Sequence, residues 1–212
     1  MDGAVIPKIL AICASLMLAA APVLADDSAP LARVKTARAL FDIGVATQDA
    51  LYFLAAAQLR KSVEMTPSDR APEGGTALSG TLLGWQDMLA AATPLIAGNP
   101  MMTGLAEYIA AARSKGVASG PVYSVVEIGA GERDKYPRLR FSGGQYAEIY
   151  VEGASGTDLN LLVHDAKGRL VCSDTDISAI AYCGWKPTEN GDFVSTVEND
   201  GNRGGSYSMM TN

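Results

Sequence analysis

The chain has 212 residues, a formal net charge of −6 and 48% hydrophobic residues. That length fits one large domain or two small ones. An acidic balance with no basic cluster argues against nucleic acid and anionic membrane surfaces as partners.

Residues 1–25 read as a cleaved signal peptide. Lys8 gives a thin positive start, Ile9 to Ala21 an apolar run, and Ala-Pro-Val-Leu-Ala ends at Ala25 before Asp26 and Asp27. Val23 and Ala25 fit the positions that signal peptidase reads. The run is short of the roughly 20 residues that span a bilayer. No second run follows, so no transmembrane segment is expected after cleavage. Cys13 lies inside the run without a small residue before it, which fits an ordinary apolar cysteine rather than a lipidated one. Cleavage removes Asp2 together with Lys8 and leaves the charge at −6. The expected location is periplasmic or secreted.

Residues 26–118 read as a small α-helical domain of about four helices. Leu31 to Ile43 forms the first, ended by Gly44. Asp49 to Glu64 forms the second, with Leu51, Leu54, Leu59 and Val63 near helical spacing. Thr66 to Gly75 holds Pro67, Pro72, Gly74 and Gly75 and is expected as a loop. A third helix runs from Gly80 to Ala92, where Pro94 ends or restarts it. The fourth has Asn99 as its cap, Pro100 at the first helical position and Gly116 at its close. Gly116 to Pro121 is the expected linker. Leu40 to Leu59, with Ala46, Ala50, Ala55 and Ala56, faintly resembles a tetratricopeptide-type helical hairpin. No repeat of that period follows, and small alanines also serve plain close packing.

Residues 119–212 change composition toward Gly, Tyr, Val, Ser and Asp. Strands are expected at Val122–Ile128, Leu139–Phe141, Tyr146–Glu152, Leu159–His164, Leu170–Ser173, Ala179–Cys183, Phe193–Val197 and Tyr207–Met210. Short strands separated by Gly, Ser, Asn and Asp turns predict an antiparallel β-sandwich or jelly roll. The fold class is therefore α+β, helices first and strands after. Within it, Thr157 to Asp174 reads as strand, tight turn and strand. Leu159, Leu161 and Val163 face one way, and Asp165 to Gly168 supplies the turn. Cys172 and Cys183 are the only cysteines left after cleavage. In an oxidising compartment two cysteines flanking a turn pair as a disulfide. Two thiols and a single histidine make a poor zinc set.

Several of these motifs recur together in one known family. Tyr146 to Gly153, Thr157-Asp-Leu-Asn-Leu161, Val163-His-Asp165, Gly168-Arg-Leu-Val171, Ser173-Asp174, Gly191-Asp-Phe193 and Val197-Glu-Asn199, with Tyr207 in the closing strand, resemble the bacterial pre-peptidase C-terminal domain. The match covers about residues 142–212 and extends toward Val122. The resemblance implies a compact β-sandwich found beside secreted enzymes or in other exported proteins. Some members bind extracellular polymers and some bind calcium. Asn160 stands where the second Asp is usual, Cys172 and Cys183 are an added pair, and no peptidase-like segment precedes the module within these 212 residues. The host activity is therefore not carried over.

Candidate sites are few. Asp158, Asn160, Asp165, Asp174 and Asp176 offer oxygen ligands for a Ca²⁺ ion where their loops converge. The same residues also serve turns by bonding their own backbone. Tyr146, Glu148, Tyr150 and Glu152 share one face of a strand, opposite Ala147, Ile149 and Val151. With the apolar set in the core, Tyr146 and Tyr150 are expected to point outward, about 13 Å apart. There they are candidates to stack on a sugar or peptide. His164, the only histidine, has no local nucleophile or acid and reads as a rim residue. The chain lacks G-x-S-x-G, S-x-x-K, H-E-x-x-H and P-loop motifs. No catalytic residue is assigned and no cofactor is expected beyond the calcium candidate. The expected function is an exported, non-enzymatic binding protein of the bacterial cell envelope, recognising a protein or an envelope polymer. Its alternatives are a periplasmic hydrolase and a calcium-dependent adhesion module.

Overall fold

The computed structural model describes residues 29–80, 83–113 and 120–212. The expected signal peptide, Gly116 and most of the expected linker lie outside the described residues. Among the described residues four helices come first: α1 (Pro30–Thr47), α2 (Ala50–Lys61), α3 (Trp85–Ile96) and α4 (Pro100–Ala111). Their starts are chemically marked. The Asp49 carboxylate accepts the backbone N–H of Leu51 at 2.9 Å and caps α2. Asn99 accepts the N–H of Met102 at 3.2 Å, with Pro100 in the first turn of α4. Such caps satisfy helix N–H groups that have no partner within the helix.

Two expected breaks behave differently. Gly44 does not end α1. It lies within the helix, where a Cβ would come within 3.0 Å of the Phe53 ring on α2. The glycine lets the two helices approach, and the chain reverses instead at Gln48, with φ at 53°. Pro94 does not end α3 either; the helix continues to Ile96, which is buried. The start of α3 falls at Trp85 and the end of α2 at Lys61, both inside the expected spans.

Among the described residues nine strands follow or interleave: β1 (Thr66–Pro67), β2 (Val122–Ile128), β3 (Arg133–Phe141), β4 (Ala147–Gly153), β5 (Leu159–Asp165), β6 (Leu170–Asp174), β7 (Ile180–Trp185), β8 (Gly191–Asn199) and β9 (Gly205–Thr211). They form two sheets, ordered β1-β2-β9-β4-β7 and β3-β8-β5-β6. All pairs are antiparallel except β1 with β2. Thr66 and Pro67, expected in a loop, thus extend the first sheet by one short strand. The sheets face each other across one apolar core. Phe141, Trp185 and Phe193 meet there with ring centroids 4.9 to 5.8 Å apart. Strand β3 begins six residues before the expected Leu139. Its charged residues hid it, and Pro137 falls in an irregularity between Tyr136 and Leu139 where Arg138 takes φ of 60°.

Both open sides of the sandwich are closed. On one side Cys172 of β6 and Cys183 of β7 form a disulfide, with Cα atoms 5.8 Å apart. These are edge strands of different sheets, so the bond ties the layers together. Replacing both cysteines with serine is expected to cost about 3 kcal/mol, from the loop entropy restored to the unfolded chain. A lower urea midpoint for the double variant checks this. On the other side, residues 66–80 reach from the helical half to both sheets. Leu78 bridges to Val125 on β2, and the Glu73 N–H donates to the Lys135 carbonyl on β3 at 2.8 Å.

Candidate functional surface

Alternation along β4 works as the sequence predicts. Ala147, Ile149 and Val151 enter the core between the sheets. Glu148, Tyr150 and Glu152 point the other way. That outward side does not meet solvent, because α1 and α2 lie over it. Tyr150 is completely buried, packed with Leu31, Val34, Val63 and Met210. The expected exposed tyrosine pair is therefore not present as such. Tyr146 is half-buried, with its hydroxyl near that of Tyr182. A third layer covers the face on which ligand stacking was expected.

The β4 carboxylates fasten that layer. No side chain of α1's own caps its start. Glu148 does so from the sheet: it accepts the N–H of Leu31 at 3.1 Å and of Ala32 at 2.9 Å, and the Tyr182 hydroxyl at 2.8 Å. A negative charge there also suits the positive end of the helix dipole. Glu152 accepts from Arg60 of α2 at 2.7 Å and from Arg38 of α1 at 3.3 Å. Arg38 also bonds Asp42 one turn along, at 2.9 Å.

Burial pushes the Glu148 carboxyl above its ordinary 4.5, against hydrogen bonds from Leu31, Tyr182 and Ala32 and the charge of Arg33. The folded chain therefore holds this proton more tightly than the unfolded one. The stability tied to it is fully present below pH 4.5 and is lost as pH rises through the raised value. Glu148→Gln is expected to remove that downward slope. Urea melts of both proteins from about pH 4 to pH 7 measure it. Asp134, also raised by burial, contributes the same sign in both.

Three of the candidate calcium ligands, Asp158, Asp165 and Asp174, accept backbone N–H groups of the fold. Asp158 accepts the Ser178 N–H at 3.2 Å. Asn160 donates its amide N–H to Asp200 at 2.8 Å, and its buried Oδ1 has no hydrogen-bond partner. Asp165 builds its turn by accepting from the Lys167 and Arg169 backbones, each at 2.9 Å. Asp174 accepts the Tyr182 N–H at 2.8 Å and, through its other oxygen, that of Asp176. Among the described residues, no three acidic, cysteine or histidine side chains gather as a metal would require. A further polar chain lies inside the sandwich: the Tyr136 and Tyr207 hydroxyls meet at 2.8 Å, and Tyr207 donates to Asp134 at 2.8 Å. Burial raises both tyrosines well above the usual range, so they stay protonated at neutral pH.

Among the described residues, two surfaces are left open. One is the outer face of the second sheet. Register sets Lys135, Thr196, Leu162 and Ser173 in one row across it, with Val194 beside His164 in the next. Four of the eight residues 133–140 are basic, a cluster the overall acidity concealed. Arg133 pairs with Glu198 at 3.0 Å and Lys135 with Glu73 at 3.7 Å, so half of it is balanced locally. The other surface is the helical layer. Of the twelve large hydrophobic residues exposed among the described residues, eight lie on helices: Ile43 and Val45 on α1, Leu51 and Tyr52 on α2, and Leu95, Met101, Leu105 and Tyr108 on α3 and α4. The helical pattern of 101, 105 and 108 was readable in the sequence, but which flank of α4 is covered depends on packing.

No known protein family matches this sequence, and no curated protein does. Solved structures with some likeness include the pre-peptidase C-terminal domain of a collagenase from Bacillus anthracis, at 15% identity over 40% of this chain and 91% of that one, with a TM-score of 0.29. Another is a periplasmic inhibitor of g-type lysozyme from Aeromonas hydrophila, at 10% identity over 44% of this chain and 86% of that one, with a TM-score of 0.33. A third is a CBM6 module of a marine laminarinase from Zobellia galactanivorans, at 14% identity, 42% and 80% coverage and a TM-score of 0.28. These values single out no family. The sandwich rests on the strand pairing itself. Among the described residues, no helix is long and apolar enough to cross a membrane.

Proposed function

We propose that this chain is an exported, non-enzymatic binding protein that contacts a protein partner through its helical layer. One observation carries the reading: among the described residues, eight of the twelve exposed large hydrophobic ones sit on the four helices. Clustered exposed apolar surface marks interaction sites more often than isolated side chains do. The leader-like sequence before Asp26 and the Cys172–Cys183 bond support an oxidising compartment outside the cytoplasm. The sandwich serves as the platform, and the buried carboxylates of β4 hold the helices on it.

A second reading places an envelope polymer on the outer face of the second sheet, which no other layer of the described residues covers. Among the described residues that face presents no Phe, Tyr or Trp ring for stacking on a sugar, since Tyr136, Phe141 and Phe193 all turn into the core. Photo-crosslinking in cells separates the two readings, with the reactive group at Leu51, Leu105 or Thr196. Protein adducts from Leu51 or Leu105 are expected. Polymer adducts from Thr196, with none from either helical position, would overturn the protein-binding reading.

A further inference from the structure

We propose that the partner of the α4 face is a second copy of this chain, bound as an antiparallel pair of α4 helices about a two-fold axis. This rests on the binding-surface reading above and names its occupant. Helix α4 buries only Ile109 fully, whereas Met101, Leu105 and Tyr108 are 82%, 41% and 67% exposed. Steps of four and three residues put these three on one stripe. The polar side chains Thr103 and Glu107 lie off it, at 100° per residue. The helix is thus apolar both on the flank that packs in the helical layer and on a second, open flank. A helix apolar over most of its surface is normally covered.

The stripe is complementary to itself. The axis that sets Met101 opposite Tyr108 of the other copy also sets Leu105 opposite Gly104. A Cβ at Gly104 would meet nothing within 4 Å, so the position is an open notch beside the stripe. Leu105 of one copy fills that notch in the other, and the Met101 sulfur meets the Tyr108 ring, a favourable contact. The same pairing places the helix dipoles antiparallel. Two chains of charge −6 repel each other, and this stripe carries no charged side chain. Its apolar area is on the order of 400 Å² per copy, against about 800 Å² per partner in a standard interface. A weak, concentration-dependent dimer follows.

Sedimentation of the protein lacking residues 1–25, across the micromolar range, tests the pairing beside Leu105→Glu and Gly104→Met. The native chain is expected to move from monomer to dimer with concentration. Both variants are expected to weaken the dimer at least tenfold while keeping the native circular dichroism. Gly104→Met should melt no lower, because it replaces a glycine inside an exposed helix. A native chain monomeric throughout, or a dimer indifferent to both variants, overturns the proposal. A photo-reactive group at Tyr108 distinguishes the two levels. Adducts to the Met101 segment of the same protein support the dimer. Adducts to a different protein from a monomeric chain overturn it and leave the binding-surface reading standing. No adducts at all overturn both.

Discussion

Replacing Glu152 with Gln is expected to lower the unfolding free energy by about 3–5 kcal/mol, the usual result of removing one partner from a buried ion pair. The geometry explains why the effect should be large. Side-chain exposure is 5% at Glu152 and 2% at Arg60, so neither group can turn to water. Arg60 gives one nitrogen to Glu152, while its Nε and Nη1 have no other hydrogen-bond partner. Arg38 fares better, because Asp42 also holds it and is half-exposed. The loss therefore falls mainly on Arg60. A second substitution separates an orphaned charge from a general packing defect. Adding Arg60→Met to Glu152→Gln removes the stranded cation and keeps an apolar stem in the same buried position. The double variant is expected to recover much of the loss, so that the two changes are strongly non-additive. Urea unfolding of the wild type, both single variants and the double variant measures this. A single-variant loss below about 1 kcal/mol would place the pair among surface bridges and contradict its burial.

The same residues show where the sequence is legible and where it stops. Strand β2 falls at Val122–Ile128 as expected, and β4 to β9 agree to within two residues at each end. Period-two alternation and turn residues are local signals that need no partner to be read. The orientation of β4 was legible too, since Ala147, Ile149 and Val151 could only be the core set. What could not be read was the medium on the other side. Alternation separates two faces of a strand; it does not say whether the polar one meets water or a second layer. Glu148, Tyr150 and Glu152 look like solvent-facing residues because their partners Arg38, Arg60 and the start of α1 lie about a hundred residues away in sequence. Gly44 misled for a related reason. Glycine commonly ends a helix, but here the lack of a Cβ makes room for Phe53, a tertiary contact invisible to any local window. The turn chemistry expected of aspartate is what the hydrogen bonds show at Asp165 and, through the Asp176 N–H, at Asp174; Asp158 instead accepts from Ser178, twenty residues on, and Asp174 also from Tyr182 on β7.

Because the helices cap the sandwich through buried charges, the two halves are expected to unfold together. The chain carries two tryptophans, Trp85 at the start of α3 and Trp185 at the end of β7, so each half contains its own reporter. In Trp85→Phe the fluorescence follows the sandwich alone, and in Trp185→Phe it follows the helices alone. Each variant's fluorescence midpoint in urea is expected to coincide with its own circular dichroism midpoint, the mark of one cooperative transition. The magnitudes favour this outcome. Leu31, Val34, Val63, Tyr150 and Met210 form one apolar cluster between α1, the end of α2 and the first sheet. At about 1.5–3 kcal/mol for each fully buried side chain, the cluster is worth on the order of 10 kcal/mol. That is comparable to the whole stability of a typical domain, about 5–15 kcal/mol. The Glu148 and Glu152 contacts and the 66–80 segment, which reaches both sheets, add to it. Residues 120–212 expressed alone would bare Tyr150 and Met210 and leave Glu152 without its arginines. That fragment is expected to melt well below the full chain or to aggregate. Separate midpoints for the two reporters, with the fragment as stable as the sandwich in the intact protein, would mean that the β4 ion pairs join two independent domains rather than the layers of one.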